Sequence, residues 1–167
     1  MQQNIKNSAM TNGLIVGGLL SLKFVLSASK IGFLTTIAFI VSVLAVFALF
    51  YFAKRFRDSE CEGVISYGHS FRYIFLVYFY GSIISSLVIL LYTNFIDQNF
   101  LTLMLNDILK LYDAIEMPVD DQTYDIMAMI YKPAPFALFN AFASIFGAAF
   151  WALILAAFVK KDKSIFE

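Results

Sequence analysis

A chain of 167 residues that is 60% hydrophobic exceeds the roughly 45–50% of an ordinary soluble domain, so part of its apolar surface must face lipid. Its 12 basic and 12 acidic residues leave a net charge of zero, which argues against nucleic acid as a partner. The single cysteine, Cys61, and the single histidine, His69, exclude an intramolecular disulfide and any cysteine- or histidine-rich metal cluster, and no cofactor is implied.

Met1 to Asn7 is polar, and residues 8–27 form a first apolar run that spans a bilayer if Asn12 and Lys23 are tolerated. A secretory signal peptide is the rival reading, with Lys6, a short apolar centre and the small residues Ser27, Ala28 and Ser29 as its three regions. A second apolar run begins at Ile31, so the pair reads better as a tight transmembrane hairpin joined by Ala28 to Lys30. Residues 31–53 carry no charge and exceed the roughly 20 residues a helix needs to cross a hydrocarbon core of about 30 Å.

Residues 54–70 form a basic polar segment with Lys54, Arg55 and Arg57, and Arg72 stands just inside the next apolar run. By the positive-inside rule this segment is a cytoplasmic loop. The third span covers residues 71–95, where Arg72 snorkels to the headgroups, and the fourth covers 134–159, closed by Lys160, Lys161 and Lys163. Each must be a helix, because lipid offers backbone groups no hydrogen-bond partners. With both termini cytoplasmic, eight of the 12 Lys and Arg residues fall on that side, while Asp97, Asp107, Asp113, Glu116, Asp120, Asp121 and Asp125 fall outside.

The outer loop, residues 96–133, is expected to hold an amphipathic helical hairpin between spans 3 and 4. Leu101, Met104, Leu105, Ile108, Leu111, Tyr112 and Ile115 recur at helical spacing opposite Asn106, Asp107, Lys110, Asp113 and Glu116. Pro118 stops that helix, and Asp120 or Asp121 caps a second one running to Tyr131. Tyr67, Phe71, Ile74, Phe75 and Tyr78 keep helical spacing across the third boundary, so the third helix begins near Ser66, whose hydroxyl caps it. The expected fold is all-α, one integral membrane domain over residues 1–167.

Small residues recur at a spacing of four: Gly13 and Gly17, Gly81 and Ser85, Ala143 and Gly147, with Ser144, Ala148 and Ala152 making a further row. Such faces let helix backbones approach, within one bundle or between copies in a homo-oligomer. Lys23, Thr35, Thr36, Tyr92 and Asn140 lie one to two turns below the outer boundary and make a candidate polar layer for an anion or headgroup. The plainer account is that Lys23 snorkels to the surface and Asn140 bonds a neighbouring helix. Arg55, Arg57 and Arg72 have the guanidinium forks that suit a phosphate, although setting the topology already accounts for them. No span holds paired carboxylates, a broken-helix Gly/Pro pair or a nucleophile with its base, so no catalytic or metal-binding residue is expected.

Phe56-Arg57-Asp58, the run Gly63 to Phe71, Gly81-Ser82 in the third span and Phe95-Ile96-Asp97 at its outer end, with Asn12-Gly13, Gly17 and the Lys-rich tail, form a recognisable pattern. Together they resemble an uncharacterised four-span bacterial membrane family, domain of unknown function 4199, over nearly the whole chain. The resemblance implies a multi-pass inner-membrane protein of Bacteroidota without assigned activity, so no site residue is carried over. It also implies a partner, a membrane-associated family 2 glycosyltransferase of the polyprenyl-phosphate sugar type. The family's usual Pro after the outer Asp is Gln98 here, so the way into the amphipathic helix is expected to differ.

The function expected is that of a non-enzymatic accessory or scaffold protein that binds a membrane partner. The alternatives are a small transporter or flippase-like subunit for an anionic lipid carrier, with Lys23, Asn140 and the arginines as stations, and, third, a membrane enzyme. The polar layer discriminates: a cavity lined by Lys23 and Asn140 favours transport, and a surface Lys23 above a packed interior favours the accessory role.

Overall fold

The computed structural model describes residues 2–161, with side chains from Ile5 onward; Lys163 lies outside the described residues. Six helices follow in order: α1 (Gln2–Ala28), α2 (Gly32–Glu60), α3 (Tyr67–Leu91), α4 (Phe100–Ala114), α5 (Asp121–Ile130) and α6 (Pro133–Val159). Four apolar helical stretches are long enough to cross a membrane: Ile5–Ala28, Gly32–Glu60, Tyr67–Ile96 and Pro133–Val159. No strand occurs among the described residues; the only pairing of that kind is an isolated antiparallel bridge between Ile65 and Lys161.

The expected α1–α2 hairpin is present. Lys30 turns the chain in a left-handed conformation at φ 55°, and α1 packs along α2. The Ser66 cap is present as well, its hydroxyl accepting from the His69 N–H at 3.4 Å.

The first part of the segment 54–70, residues 54–60, is helix rather than loop, contrary to expectation. Helix α2 runs on through Lys54, Arg55 and Arg57 to Glu60, and α3 starts at Tyr67, leaving only residues 61–66 between them. Lys54 to Glu60 contains no proline or glycine, so nothing breaks the i to i+4 ladder where the apolar run ends. At about 1.5 Å per residue, a 29-residue helix is about 43 Å long and outruns a hydrocarbon core of about 30 Å. The stop comes at Glu62 and Gly63, both in left-handed conformation, where the Gly63 N–H donates back to the Arg57 carbonyl at 3.0 Å.

The chain forms two compact units, one built from residues up to Ser85 together with those from Ala143 on, the other from residues 86–142. In the first, α1 and α3 cross at glycines. A Cβ placed on Gly17 would lie 2.9 Å from the Gly81 carbonyl oxygen, and one on Gly81 would lie 3.0 Å from the Gly17 nitrogen. No side chain larger than hydrogen fits there, so the two backbones touch. Gly13 stands against Tyr80 and Val77, and Gly147 of α6 faces the Tyr78 ring. Ser85 is buried, while on α6 it is Ala148, Ala152 and Ala156 that are fully buried and Ala143 that is exposed. The core around them gathers Ile5, Ala9, Val16, Leu49, Phe56, Tyr73, Ile74, Val77 and Val159.

In the second unit α3 ends in one wide turn, Tyr92–Ile96, closed by the Asp97 N–H on the Tyr92 carbonyl at 3.0 Å. Side chains bond the carbonyls just before it: Thr93 Oγ1 donates to Ile89 at 2.9 Å and Asn94 Nδ2 to Leu90 at 2.7 Å. Gln98 donates from Nε2 to the Asn94 carbonyl at 3.0 Å. Helix α4 buries Phe100, Leu101 and Leu105, and its last turn gives way at Ile115, two residues earlier than Met117 and ahead of Pro118. Asp120 caps α5 by accepting from the Thr123 N–H at 2.8 Å, and α5 buries none of its residues.

Candidate functional site

A polar groove lies between α1 and α2 in the first unit, about 570 Å³ in volume. Asn7, Ser8, Thr11 and Asn12 form its α1 wall, since positions i, i+1, i+4 and i+5 fall on one side of a helix. Phe52, Arg55, Phe56, Ser59 and Glu60 form its α2 wall, and Ile15 closes one end. The groove thus runs from the last apolar turn of α2 into its charged extension. The α1 wall is held in place by Tyr73 of α3, which is fully buried; its hydroxyl receives the Asn12 amide at 2.7 Å and sits 3.2 Å from Ser8 Oγ. The Tyr73 ring stacks on Phe56, centroids 4.1 Å apart.

Two hydroxyls on the groove walls bond back to their own helices: Thr11 donates to the Asn7 carbonyl at 3.1 Å, and Ser59 donates to the Arg55 carbonyl at 2.8 Å.

Of the expected headgroup contacts, only Arg55 lines this groove. Arg57 is engaged elsewhere, its Nε on Asp58 at 2.8 Å and its Nη1 on the Val159 carbonyl at 3.2 Å, where it closes the end of α6. Arg72 is exposed on α3. Sequence reasoning missed Tyr73, Asn12 and Ser8 as a linked set; the signal available was two polar residues, Ser8 and Asn12, one turn apart at the start of an apolar helix.

The residues of the expected polar layer each have a local setting. Lys23 is exposed on α1. Thr35 and Thr36 are exposed on α2 and donate to the Ile31 and Gly32 carbonyls of their own helix at 3.2 and 3.1 Å. In the second unit Tyr92 packs edge-on against Phe100, and the Asn140 amide donates to Ser86 Oγ at 3.1 Å. Burial pushes the Cys61 thiol above its ordinary range, and the Glu60 charge adds to this, so little of it is thiolate at neutral pH.

Four membrane-capable helices and an all-helical described chain define a multi-pass α-helical membrane protein. The chain belongs to the family described as "Protein of unknown function (DUF4199)", whose model matches residues 11–161. No curated protein and no solved structure matches the chain.

Proposed function

We propose that the protein is a non-enzymatic accessory of the bacterial inner membrane, which binds and positions a membrane partner. The observation that supports this reading is the polarity of the interior. Among the described residues the buried polar side chains are Ser70, Ser82, Ser85, Ser86 and Thr93, and no charged side chain is buried. A proton or ion path uses intramembrane charges, and a hydrolytic site uses a nucleophile beside its base. The exposed Lys23 agrees with the same reading.

The surface offered to a partner is the acidic pair α4 and α5, which leaves Leu111, Ile115, Tyr124, Ile126 and Met129 exposed among Asp113, Asp121 and Asp125. Large apolar side chains beside acids suit a protein better than anionic lipid headgroups. The family resemblance suggests a membrane-associated glycosyltransferase acting on a polyprenyl-phosphate sugar as that partner. Purification from native membranes in mild detergent tests this. A co-purifying membrane protein that is lost from Ile126→Lys supports the accessory role. A monomer that brings down no protein refutes it, and one that carries a lipid-linked sugar instead points to the flippase-like alternative.

A further inference from the structure

We propose that an apolar groove between α2 and α6 seats one acyl chain of an anionic phospholipid, whose phosphate rests at Lys54 and Lys161. The groove shares no residue with the α4 and α5 surface and does not rest on the accessory role.

The hollow follows from side-chain size along one stripe of α2. Phe39 and Phe50 stand at its ends, and the smaller Ser42, Val43 and Val46 lie between them at spacings of three and four. Trp151 and Leu155 of α6 form the facing wall. The Ser42 hydroxyl donates to the Ala38 carbonyl of its own helix at 3.0 Å. The walls are otherwise hydrocarbon and aromatic ring, which suits an apolar occupant.

Length and width say which occupant. Phe39 to Phe50 is about 16 Å along the helix axis, half of a hydrocarbon core of about 30 Å. Within the uncharged run 31–53, the groove reaches from one turn inside its charged end to just beyond its middle. That is the depth of one leaflet. Spread over that length, a volume of about 440 Å³ leaves a section of about 27 Å², against roughly 80–110 Å² for a helix of about 10–12 Å diameter. One extended hydrocarbon chain enters such a slot and a helix does not.

The stripe continues past Phe50. Lys54 follows it by four residues and Arg57 by three more, so both cations carry on the line of the groove beyond the apolar run. Arg57 is committed to Asp58 and to the Val159 carbonyl, which holds the end of α6 against α2. Lys54 and Lys161 are exposed, and the charges of both act on that same Asp58 carboxylate. Three cations thus gather around one carboxylate beyond the end of the groove, and the surplus is positive. It favours a headgroup with a net negative charge over one whose own ammonium cancels its phosphate.

Native mass spectrometry of the full chain, released from micelles doped with equal phosphatidylglycerol and phosphatidylethanolamine, tests the assignment. The wild type retains one phosphatidylglycerol, preferred by about twentyfold, from about fivefold for each lysine. Lys54→Gln combined with Lys161→Gln loses the preference while still holding phospholipid. Val43→Trp, at a half-exposed position, fills the groove and loses the lipid, whereas Leu44→Trp, exposed on the same helix outside the groove, keeps it. Should Val43→Trp fail to fold, the wild type decides alone: a phosphatidylglycerol photoreactive at its chain end labels Phe39, Val43 or Trp151. Label spread evenly over the four long helices overturns the proposal. So do equal retention of the two lipids by the wild type, undiminished lipid on folded Val43→Trp, or a dimer free of lipid, in which a second copy covers the groove.

Discussion

The two compact units hold themselves together by different means. The first brings helices into backbone contact through Gly13, Gly17 and Gly81 and fills the remaining space with Tyr73, Phe56 and the alanines of α6. The second relies on a few large apolar residues of α4, on side chains that bond the carbonyls ahead of a widened turn, and on the Asp120 cap of an α5 that buries nothing. The difference is sharpest at α4 and α5, which are not among the four membrane-capable helices. Where lipid surrounds helices the hydrophobic drive between them is absent and close packing must replace it, whereas short amphipathic helices such as α4 and α5 depend on caps and on an apolar face.

The sharpest way to break the contrast is at the glycine crossing. Gly17→Val forces methyl groups into the Gly81 backbone and is expected to destabilise the protein by about 2 kcal/mol or more, read as a lowered melting temperature in detergent. Gly18→Val is its control. Nothing lies within 4 Å of a Cβ at Gly18, so its melting temperature should stay near that of the wild type. A next, smaller effect is expected at Tyr73→Phe, which leaves the Asn12 amide without its 2.7 Å acceptor and costs about 1 kcal/mol. Chemical denaturation in mixed micelles measures it.

In the second unit, Asn140→Leu removes one interhelical hydrogen bond and is expected to cost only about 0.6 kcal/mol, near the average found for such bonds in membranes. A double-mutant cycle with Ser86→Ala isolates the pair. The smallest and most local change is Asp120→Ala, where faster amide exchange confined to the first turn of α5 is expected. Acid reproduces it. The Thr123 side-chain and backbone donors hold the Asp120 carboxyl below its ordinary value of 3.8, so the cap is fully present above that value and is lost as pH falls through the lowered one. If Gly18→Val proved as damaging as Gly17→Val, or Asp120→Ala lowered global stability, the contrast between the units would fail.

Much of this architecture was legible in the sequence, and where it was not there is a physical cause. Residues 31–53 announced a span by having no charge, and Ser66 and the pair Asp120 and Asp121 announced helix starts, because a side-chain oxygen before a helical run satisfies free N–H groups; of that pair it is Asp120 that caps. The end of α2 was misplaced because hydropathy marks where lipid stops and not where a helix stops; Lys54 to Glu60 change solvent without changing backbone. The polar groove was hidden for another reason. Only Arg55 was picked out, and its neighbours Asn7, Thr11 and Asn12 come from a helix more than 40 residues away in sequence. Arg57 looked equivalent to Arg55 in the sequence, and which of them met the Val159 carbonyl depended on a packing that single-sequence spacing does not encode.

The bridge between Ile65 and Lys161 has a mechanical consequence. Each residue donates its N–H to the other's carbonyl at 3.0 Å, and Arg57 grips Val159 two residues before. The segment following α6 is thereby tied to the short linker that joins α2 to α3. A force pulling on the C-terminal tail would load that linker and the end of α2 before it could peel α6 away turn by turn, so the last helix behaves as a belt that is buckled at its end.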